Sequence, residues 1–265
     1  SIIRLQKPEI WNRVTLFREE SSRKCMGRRV WYGRSGVLMA VLLVCQIAGC
    51  VMSTDYERNK MMSYMGCKYG EKFDFLESYA GQAGKNYSMI LVRSREHKER
   101  TALVRLSEKN GKRYYEDNYL AWILRDELEQ TEGDFARQCF GECKIYYKIP
   151  EFVFPFYFKA DMTPEEFLRN PCSMSQFYIY LQAGGNEREE WKKKLQIFRN
   201  LNAEKGYKIR GTLSFAVSAR DYEMINPENF AGSDYETYEA YDELLFSMDE
   251  KGNFRYMRWL SDKSA

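Results

Sequence analysis

Histidine is almost absent from this sequence, and its scarcity excludes most familiar catalytic and metal-binding arrangements. The only histidine is His97, in the charged segment RSREHKER, where we expect an exposed strand end or turn. One histidine cannot complete an H-E-x-x-H zinc motif, and no Ser-His or Cys-His dyad exists unless His97 itself serves. We therefore predict no metal, no cofactor and no catalytic residues.

A large charge excess is also lacking, because 41 Lys and Arg residues face 38 Asp and Glu residues for a net charge of +3. Residues 1–49 hold nine basic and three acidic side chains, which leaves 32 basic and 35 acidic residues in the rest. Because positive and negative side chains nearly balance after residue 49, this part of the chain has no strong positive field to attract nucleic acid phosphates. The sequence predicts no nucleic acid partner.

Two further catalytic patterns fail on spacing or position. The segment AGQAGKN places only two residues between Gly81 and Gly84, and Asn86 follows the lysine, so it does not fit a Walker A phosphate loop. A turn is the better interpretation. Paired acids could serve as general acid and base, but both pairs are expected on solvated helix faces: Asp126 with Glu127, and Glu189 with Glu190.

No hydrophobic run is long enough to cross a bilayer comfortably. The most apolar run, residues 37–47, has eleven residues, and a helix of that length spans roughly half of a ~30 Å hydrocarbon core. Arg28, Arg29 and Arg34 precede it, and small residues follow it. A basic start, an apolar centre and a small-residue end are the three parts of a secretory signal.

The segment IAGC (Ile47, Ala48, Gly49, Cys50) resembles the lipobox of bacterial lipoproteins, in which an aliphatic and two small residues precede an obligatory cysteine. The resemblance implies cleavage between Gly49 and Cys50 and a diacylglyceryl anchor on the Cys50 sulfur. Two acyl chains anchor a protein durably where one is marginal. In length and layout the chain is similar to small uncharacterised lipoproteins of Gram-positive bacteria, which implies a location on the outer face of the cytoplasmic membrane.

Two other interpretations of the apolar run stay open, namely an uncleaved signal anchor and a buried core helix. The mixed segment 1–25 does not fit a leader, so we interpret it as an upstream extension and expect translation to begin at Met26. The expected division is therefore an extension (1–25), a signal peptide (26–49) and an exported body from residue 50.

In the body, apolar residues recur with the spacing of helices in some segments and of strands in others, and these segments do not alternate regularly. This pattern favours an α+β fold with antiparallel sheets and packed helices. A helix is expected from Ser53 or Thr54 to Gly70, followed by strands with a tight turn at Asn110-Gly111. A helix capped by Asp117 should place Leu120, Ile123, Leu124 and Leu128 inward. These elements form the first expected subdomain, residues 50–138.

The second expected subdomain, residues 139–265, begins with strands in ECKIYYKI and EFVFPFYF. TPEE is a capping box that predicts a short helix from Pro164 to about Asn170. The segment from Asn186 to Gly206 predicts a longer helix with Trp191, Leu195, Phe198 and Leu201 on one face. The last segment predicts a hairpin that turns at DEKGN.

Four cysteines remain in the body besides Cys50, namely Cys67, Cys139, Cys143 and Cys172. The leading interpretation is that all four are unpaired core residues. A Cys139–Cys143 disulfide in an oxidising exterior is the alternative. No histidine or second close pair completes a zinc site.

The aromatic block EFVFPFYF alternates Phe152, Phe154, Phe156 and Phe158 with other apolar residues. Apolar side chains on both faces indicate a buried strand or an edge strand that offers one face to a partner, and Pro155 favours an edge or bulge.

Three functions follow from these observations. The first is a non-enzymatic lipoprotein that binds a protein, an envelope component or a small ligand. The second is a surface enzyme that acts through carboxylates, which requires two carboxyls facing each other across a cleft. The third is a membrane-tethered assembly subunit, which would join its neighbour through the aromatic segment.

Overall fold

The computed structural model describes residues 55–79, 87–182, 188–230 and 240–260. The predicted leader, the lipobox with Cys50 and the Gly81–Lys85 turn lie outside these residues. No helix in these four segments is long and apolar enough to cross a membrane. The described residues belong to one compact unit that spans Met52–Ala265, and they form an α+β fold.

The first sheet is an antiparallel meander beneath one helix. Helix α1 covers residues 55–69, and the strands follow in the spatial order β1-β2-β3-β4: β1 (Phe73–Tyr79), β2 (Tyr87–Ser94), β3 (Thr101–Lys109) and β4 (Lys112–Asp117). Met61 and Met65 of α1 are buried against Ile90, Val92 and Val104. Alternate apolar residues of the central strands thus form one buried face.

Two local predictions in the first sheet have different outcomes. The Asn110-Gly111 turn is confirmed, since both residues have the positive φ angles, 55° and 70°, that a tight hairpin requires. The alternation in KFDFLESY also predicts that Phe73, Phe75 and Tyr79 lie on one side of a strand. Phe73 and Phe75 do so, opposite Ser94 and Val92, but a register shift between Phe75 and Glu77 moves Tyr79 to the other side. Phe75 and Tyr79 are partly exposed.

The second sheet is mixed, because it contains one parallel pair of strands besides the antiparallel pairs that the sequence predicts. Its strands lie in the order β5-β6-β7-β8-β9: β5 (Lys144–Tyr147), β6 (Ser175–Leu181), β7 (Ile209–Ala216), β8 (Ala240–Met248) and β9 (Phe254–Trp259). β6 and β7 are parallel because helix α4 (Arg188–Lys205) connects them, whereas the other neighbours are antiparallel. The predicted final hairpin is confirmed.

Helices cover both faces of the second sheet. Helices α2 (Leu120–Phe140), α3 (Pro164–Arg169) and α4 contribute to the core on one face, and α5 (Ala219–Met224) contributes to a smaller aromatic cluster on the other. The predicted α3 is confirmed with its complete capping box. Helix α2 continues to Phe140, well beyond Leu128, the last of its predicted inward residues, and α5 has no counterpart among the predictions.

The prediction of a strand in residues 151–158 is wrong. Only Phe154 forms a β-bridge, with Asp117, and its N–H donates to the Asp117 carbonyl at 2.9 Å. Pro155 has no N–H for a ladder, and its carbonyl accepts from the Phe158 N–H at 3.0 Å, which closes a turn.

Candidate functional site

The turn in the aromatic segment sorts its side chains into buried and exposed sets. Phe154 and Phe158 are buried and stack at 4.9 Å, and Phe152 packs partly buried beside Phe154. Phe156 is 57% exposed and Tyr157 is 47% exposed. Of the four phenylalanines in the predicted partner patch, only Phe156 is therefore on the surface. Tyr157, which the prediction omitted, lies beside it.

The exposed pair is held by contacts at its base. The ring centroids of Phe156 and of Tyr114 in β4 are 4.8 Å apart, so a residue of the first sheet supports Phe156. The Tyr157 hydroxyl lies 3.2 Å from the Cys172 sulfur, and this contact raises the pKa of Tyr157. Aromatic side chains with restricted freedom lose little entropy on binding. We call Phe156 and Tyr157 the aromatic contact pair.

The most polar buried cluster of the first sheet surrounds the carboxylate of Asp117, at the end of β4. Its Oδ2 accepts from the Tyr64 hydroxyl and the Lys68 ammonium, both at 2.7 Å. Its Oδ1 accepts from the Tyr69 hydroxyl at 2.5 Å and the Tyr119 N–H at 3.0 Å. The prediction that Asp117 caps α2 is wrong, because Tyr119 occupies the N-cap position and no side chain caps the helix.

These tyrosines remain protonated donors at neutral pH. Burial, together with the nearby Asp117 charge, raises the pKa of Tyr64 and of Tyr69 far above the usual tyrosine value. Because the oxygens of Asp117 are occupied by donors from α1 and from its own turn, the cluster fastens the helix to the sheet. This arrangement is that of a structural site rather than a catalytic one.

A second carboxylate, Glu71, lies where the chain leaves α1 for β1. Its Oε2 accepts from the Tyr119 hydroxyl at 2.6 Å and from the Ser94 hydroxyl at 2.8 Å. Burial raises the pKa of Tyr119 to about 12. An open depression of about 310 Å³ lies beside Glu71, with Met62 and Phe73 in its lining.

Four of the seven residues that line this depression are polar, namely Ser63, Glu71, Lys72 and Arg95. Its arginine, Arg95, pairs with the Asp74 carboxylate at 2.7 Å, and one oxygen of Glu71 is already doubly hydrogen-bonded. Glu71 lines this open depression, whereas Asp117 does not. The geometry that a carboxylate enzyme requires is therefore not found at these two residues.

The other residues singled out in the sequence lie on surfaces or in the core. His97 is partly exposed, and its Nδ1 lies 3.8 Å from Glu99. Ser94 holds the His97 turn by accepting from the His97 N–H at 3.1 Å. Both acid pairs lie on exposed helix surfaces, and Glu189 and Glu190 pair with lysines one turn later in α4.

The four body cysteines are free thiols in the structure. Cys67 is exposed, Cys139 is buried, and Cys143 and Cys172 are intermediate. Burial raises the pKa of both the Cys139 and the Cys143 thiols to about 11, which disfavours the reactive thiolate. A Cys139–Cys143 disulfide stays a prediction.

Sequence reasoning missed a buried carboxyl in the second core. Glu132 of α2 is fully buried, and among the described residues neither its carboxyl oxygens nor the Oδ1 of the neighbouring Asn202 has a hydrogen-bond partner. Burial raises the pKa of Glu132 to about 8. A signal existed, because Glu132 continues the four-residue spacing of Leu124 and Leu128 on the inward face.

Within the described segments, no three His, Cys, Asp or Glu side chains come together to hold a metal ion. No protein-family model matches the chain, and none of the curated proteins matches it. A solved structure that resembles it is a DUF5037 family protein from Ruminococcus gnavus ATCC 29149, with 15% sequence identity and a TM-score of 0.39. The match covers 74% of this chain and 93% of that chain, and likeness at this level assigns no function.

Proposed function

We propose that this chain is a lipid-anchored extracytoplasmic protein that binds another protein or an envelope component and catalyses no reaction. The observation that carries the proposal is the order of residues 26–50: a basic segment, an eleven-residue apolar run, and the lipobox-like Ile47 to Cys50. Cys50 carries the diacylglyceryl anchor and becomes the first residue of the mature protein.

The binding role is supported by the aromatic contact pair. Phe156 and Tyr157 expose rings at a fixed turn, whereas Phe154 and Phe158 hold that turn in the core. Aromatic residues are enriched among the residues that contribute most to protein interfaces. The non-catalytic role is supported by Asp117, whose oxygens are committed to fastening α1.

Metabolic labelling tests the anchor. Cells that express the full chain are fed a clickable palmitate analogue, and the protein is compared with its Cys50→Ala variant. We expect label and membrane association in the wild type and loss of both in Cys50→Ala. Cys45→Ala, within the apolar run, and Cys67→Ala, at an exposed thiol of α1, are matched controls that should keep the label. Wild-type protein without label, recovered from the cytosol with residues 26–49 attached, would refute the proposal.

Site-specific crosslinking in the same cells tests the contact surface. A photoreactive amino acid replaces Tyr157 in one variant and Tyr256, which is 45% exposed on β9, in another. We expect one defined adduct at position 157 and none at position 256. Adducts of equal yield at both positions would contradict the assignment of the aromatic contact pair.

A further inference from the structure

One end of the first sheet lies close to the proposed anchor. The Ser88 hydroxyl donates to the Glu57 carboxylate near the start of α1, and Ser88 pairs with Leu106 across β2 and β3. β3 continues three residues past Leu106 to Lys109, where the β3–β4 turn begins. The start of α1 and this turn are therefore at the same end of the sheet, and the turn projects roughly 10 Å beyond Leu106.

Chain length keeps this end near the membrane. Asp55, in α1, follows Cys50 by five residues, and five residues span at most about 18 Å. If Cys50 is held at the lipid surface, the start of α1 cannot move farther than that from the head groups. The end of the sheet that carries the β3–β4 turn is thus the end that the anchor brings to the bilayer.

The turn at this end is positively charged. Residues 108–113 contain Glu108, Lys109, Lys112 and Arg113, a net charge of +2. Arg113 lies 3.8 Å from Glu108, whereas neither exposed lysine has an ion-pair partner in the described part of the chain. The turn of the β8–β9 hairpin, residues 249–253, contains two acids and one lysine and carries the opposite sign.

Exposed tyrosines accompany these cations. Tyr56 of α1 is 53% exposed, with the Lys60 ammonium 5.5 Å from its ring, and Tyr79 ends β1 with 37% of its surface exposed. Tyrosine is enriched where a bilayer meets water, and lysines near an anionic lipid surface are attracted to it. Both residue types occur at the end that the tether brings to the bilayer.

We propose that this end of the first sheet rests on the anionic surface of the membrane that holds Cys50, with Lys109 and Lys112 against lipid phosphates. The inference rests on the proposed function, because the anchor supplies the proximity. It fixes the orientation of the body on the bilayer. A nucleic acid partner for the turn is disfavoured because the rest of the body carries a slight negative charge.

Photolabelling from the bilayer tests the orientation. The purified lipidated protein is placed in vesicles of phosphatidylglycerol and phosphatidylcholine that contain a lipid with a diazirine head group. After irradiation, mass spectrometry maps the labelled peptides. We expect label in the 108–113 turn and less in the acidic 249–253 turn. Vesicles of phosphatidylcholine alone should lower the label in the 108–113 turn.

Charge reversal in the turn gives the quantitative test. Lys109→Glu with Lys112→Glu should lower the labelling of the turn by about fivefold for each lysine replaced. Lys251→Glu, in the turn of the second sheet, is the matched control and should leave the pattern unchanged. The inference would be overturned if neither the double substitution nor the lipid charge changed the labelling of the 108–113 turn. It would also be overturned if the 249–253 turn were labelled more strongly than the 108–113 turn. If the double variant did not fold, labelling of the wild-type protein in the two vesicle types would still test whether the turn contacts anionic lipid.

The same digest separates this inference from the proposed function. A diacylated Cys50 peptide with an unlabelled 108–113 turn overturns the orientation alone. An unmodified Cys50 peptide refutes the anchor, and the orientation falls with it.

Discussion

Asp117 accepts four hydrogen bonds at a site that solvent does not reach, and its Lys68 partner is also largely buried. Asp117→Ala would leave the ammonium and two tyrosine hydroxyls without their acceptor. Breaking a buried pair from one side costs about 3–5 kcal/mol, so we expect a loss of that size in the free energy of urea-induced unfolding.

The matched control for Asp117 is Asp74→Ala. Asp74 also pairs with a cation at 2.7 Å, but both it and its partner, Arg95, are exposed. Exposed ion pairs contribute about 1 kcal/mol or less, so the free energy of unfolding of Asp74→Ala should be close to that of the wild type. Comparable losses in the two variants would contradict the view that burial sets the importance of Asp117.

Glu132 should make the stability of the protein depend on pH. Its pKa is raised to about 8 in the folded state by burial, against roughly 4.3 in an unfolded chain. Between these values the folded state keeps a proton that the unfolded state has lost. The free energy of unfolding therefore falls as pH rises through this window, by up to about 1.4 kcal/mol per pH unit.

The Glu132→Gln variant tests this dependence, because glutamine has the same shape and does not ionise. We expect it to be more stable than the wild type at pH 8 and to show a flatter profile in urea unfolding from pH 5 to pH 8. Glu189→Gln, on the exposed surface of α4, should keep the wild-type slope. Parallel profiles for wild type and Glu132→Gln would show that the buried carboxyl does not control the dependence.

These two carboxyls show what the sequence could and could not reveal about single residues. The sequence predicts Asp117 as the cap of α2, but Tyr119 is the N-cap residue and Asp117 accepts from its N–H one position before the helix. Tyr64 and Tyr69 reach Asp117 from about fifty positions away. No local pattern encodes such contacts. Glu132 lies at the inward spacing of Leu124 and Leu128, so extending the same helical pattern by one turn would place it in the core.

At the scale of elements, the capping box of α3 offers a prediction whose origin is wholly local. The Thr163 hydroxyl accepts from the Glu166 N–H at 3.2 Å, and the Glu166 carboxylate accepts from the Thr163 N–H at 3.0 Å. Thr163→Ala removes one of these bonds and should lower the free energy of unfolding by about 1 kcal/mol in urea denaturation.

Thr131→Ala is the control for the cap. The Thr131 hydroxyl donates to the Glu127 carbonyl inside α2, a carbonyl of the helix interior that retains its place in the backbone ladder. Alanine also favours the helix more than threonine does. We expect no loss of stability in this variant, and a loss equal to that of Thr163→Ala would contradict the capping argument.

The predicted elements are correct where a few adjacent residues determine the structure. The Asn110-Gly111 turn and the α3 cap are such cases. The prediction of a strand in residues 151–158 is wrong. The composition of this segment suits a strand, but Pro155 has no N–H to donate, and only Phe154 forms a bridge to a neighbouring strand. The parallel pairing of β6 with β7 is not predicted either, because strand direction depends on how α4 crosses the sheet.

At the scale of the whole molecule, the start of α2 joins the first sheet to the segment that follows β5 of the second sheet. The Asn118 Oδ1 accepts from the Leu103 N–H of β3 at 2.8 Å, and its Nδ2 donates to the Pro150 carbonyl at 2.6 Å. Beside it, the Asp117 carbonyl accepts from the Phe154 N–H. Residues from either side of the expected boundary at 139–143 are therefore hydrogen-bonded through one buried side chain, and the division into two subdomains stays a prediction.

This connection predicts that the two sheets unfold together. Asn118→Ala leaves a backbone donor of β3 and the Pro150 carbonyl without their partner, which should cost about 1–3 kcal/mol. In native-state hydrogen exchange we expect the slowest amides of β2 and β3 and those of β6 and β7 to share one opening free energy, and the variant to lower both equally. Asn226→Ala, in an exposed turn of the second region, should change neither. If the amides of the first sheet alone exchanged faster in Asn118→Ala, the sheets would be separate cooperative units, and the boundary near residue 140 would be a physical one.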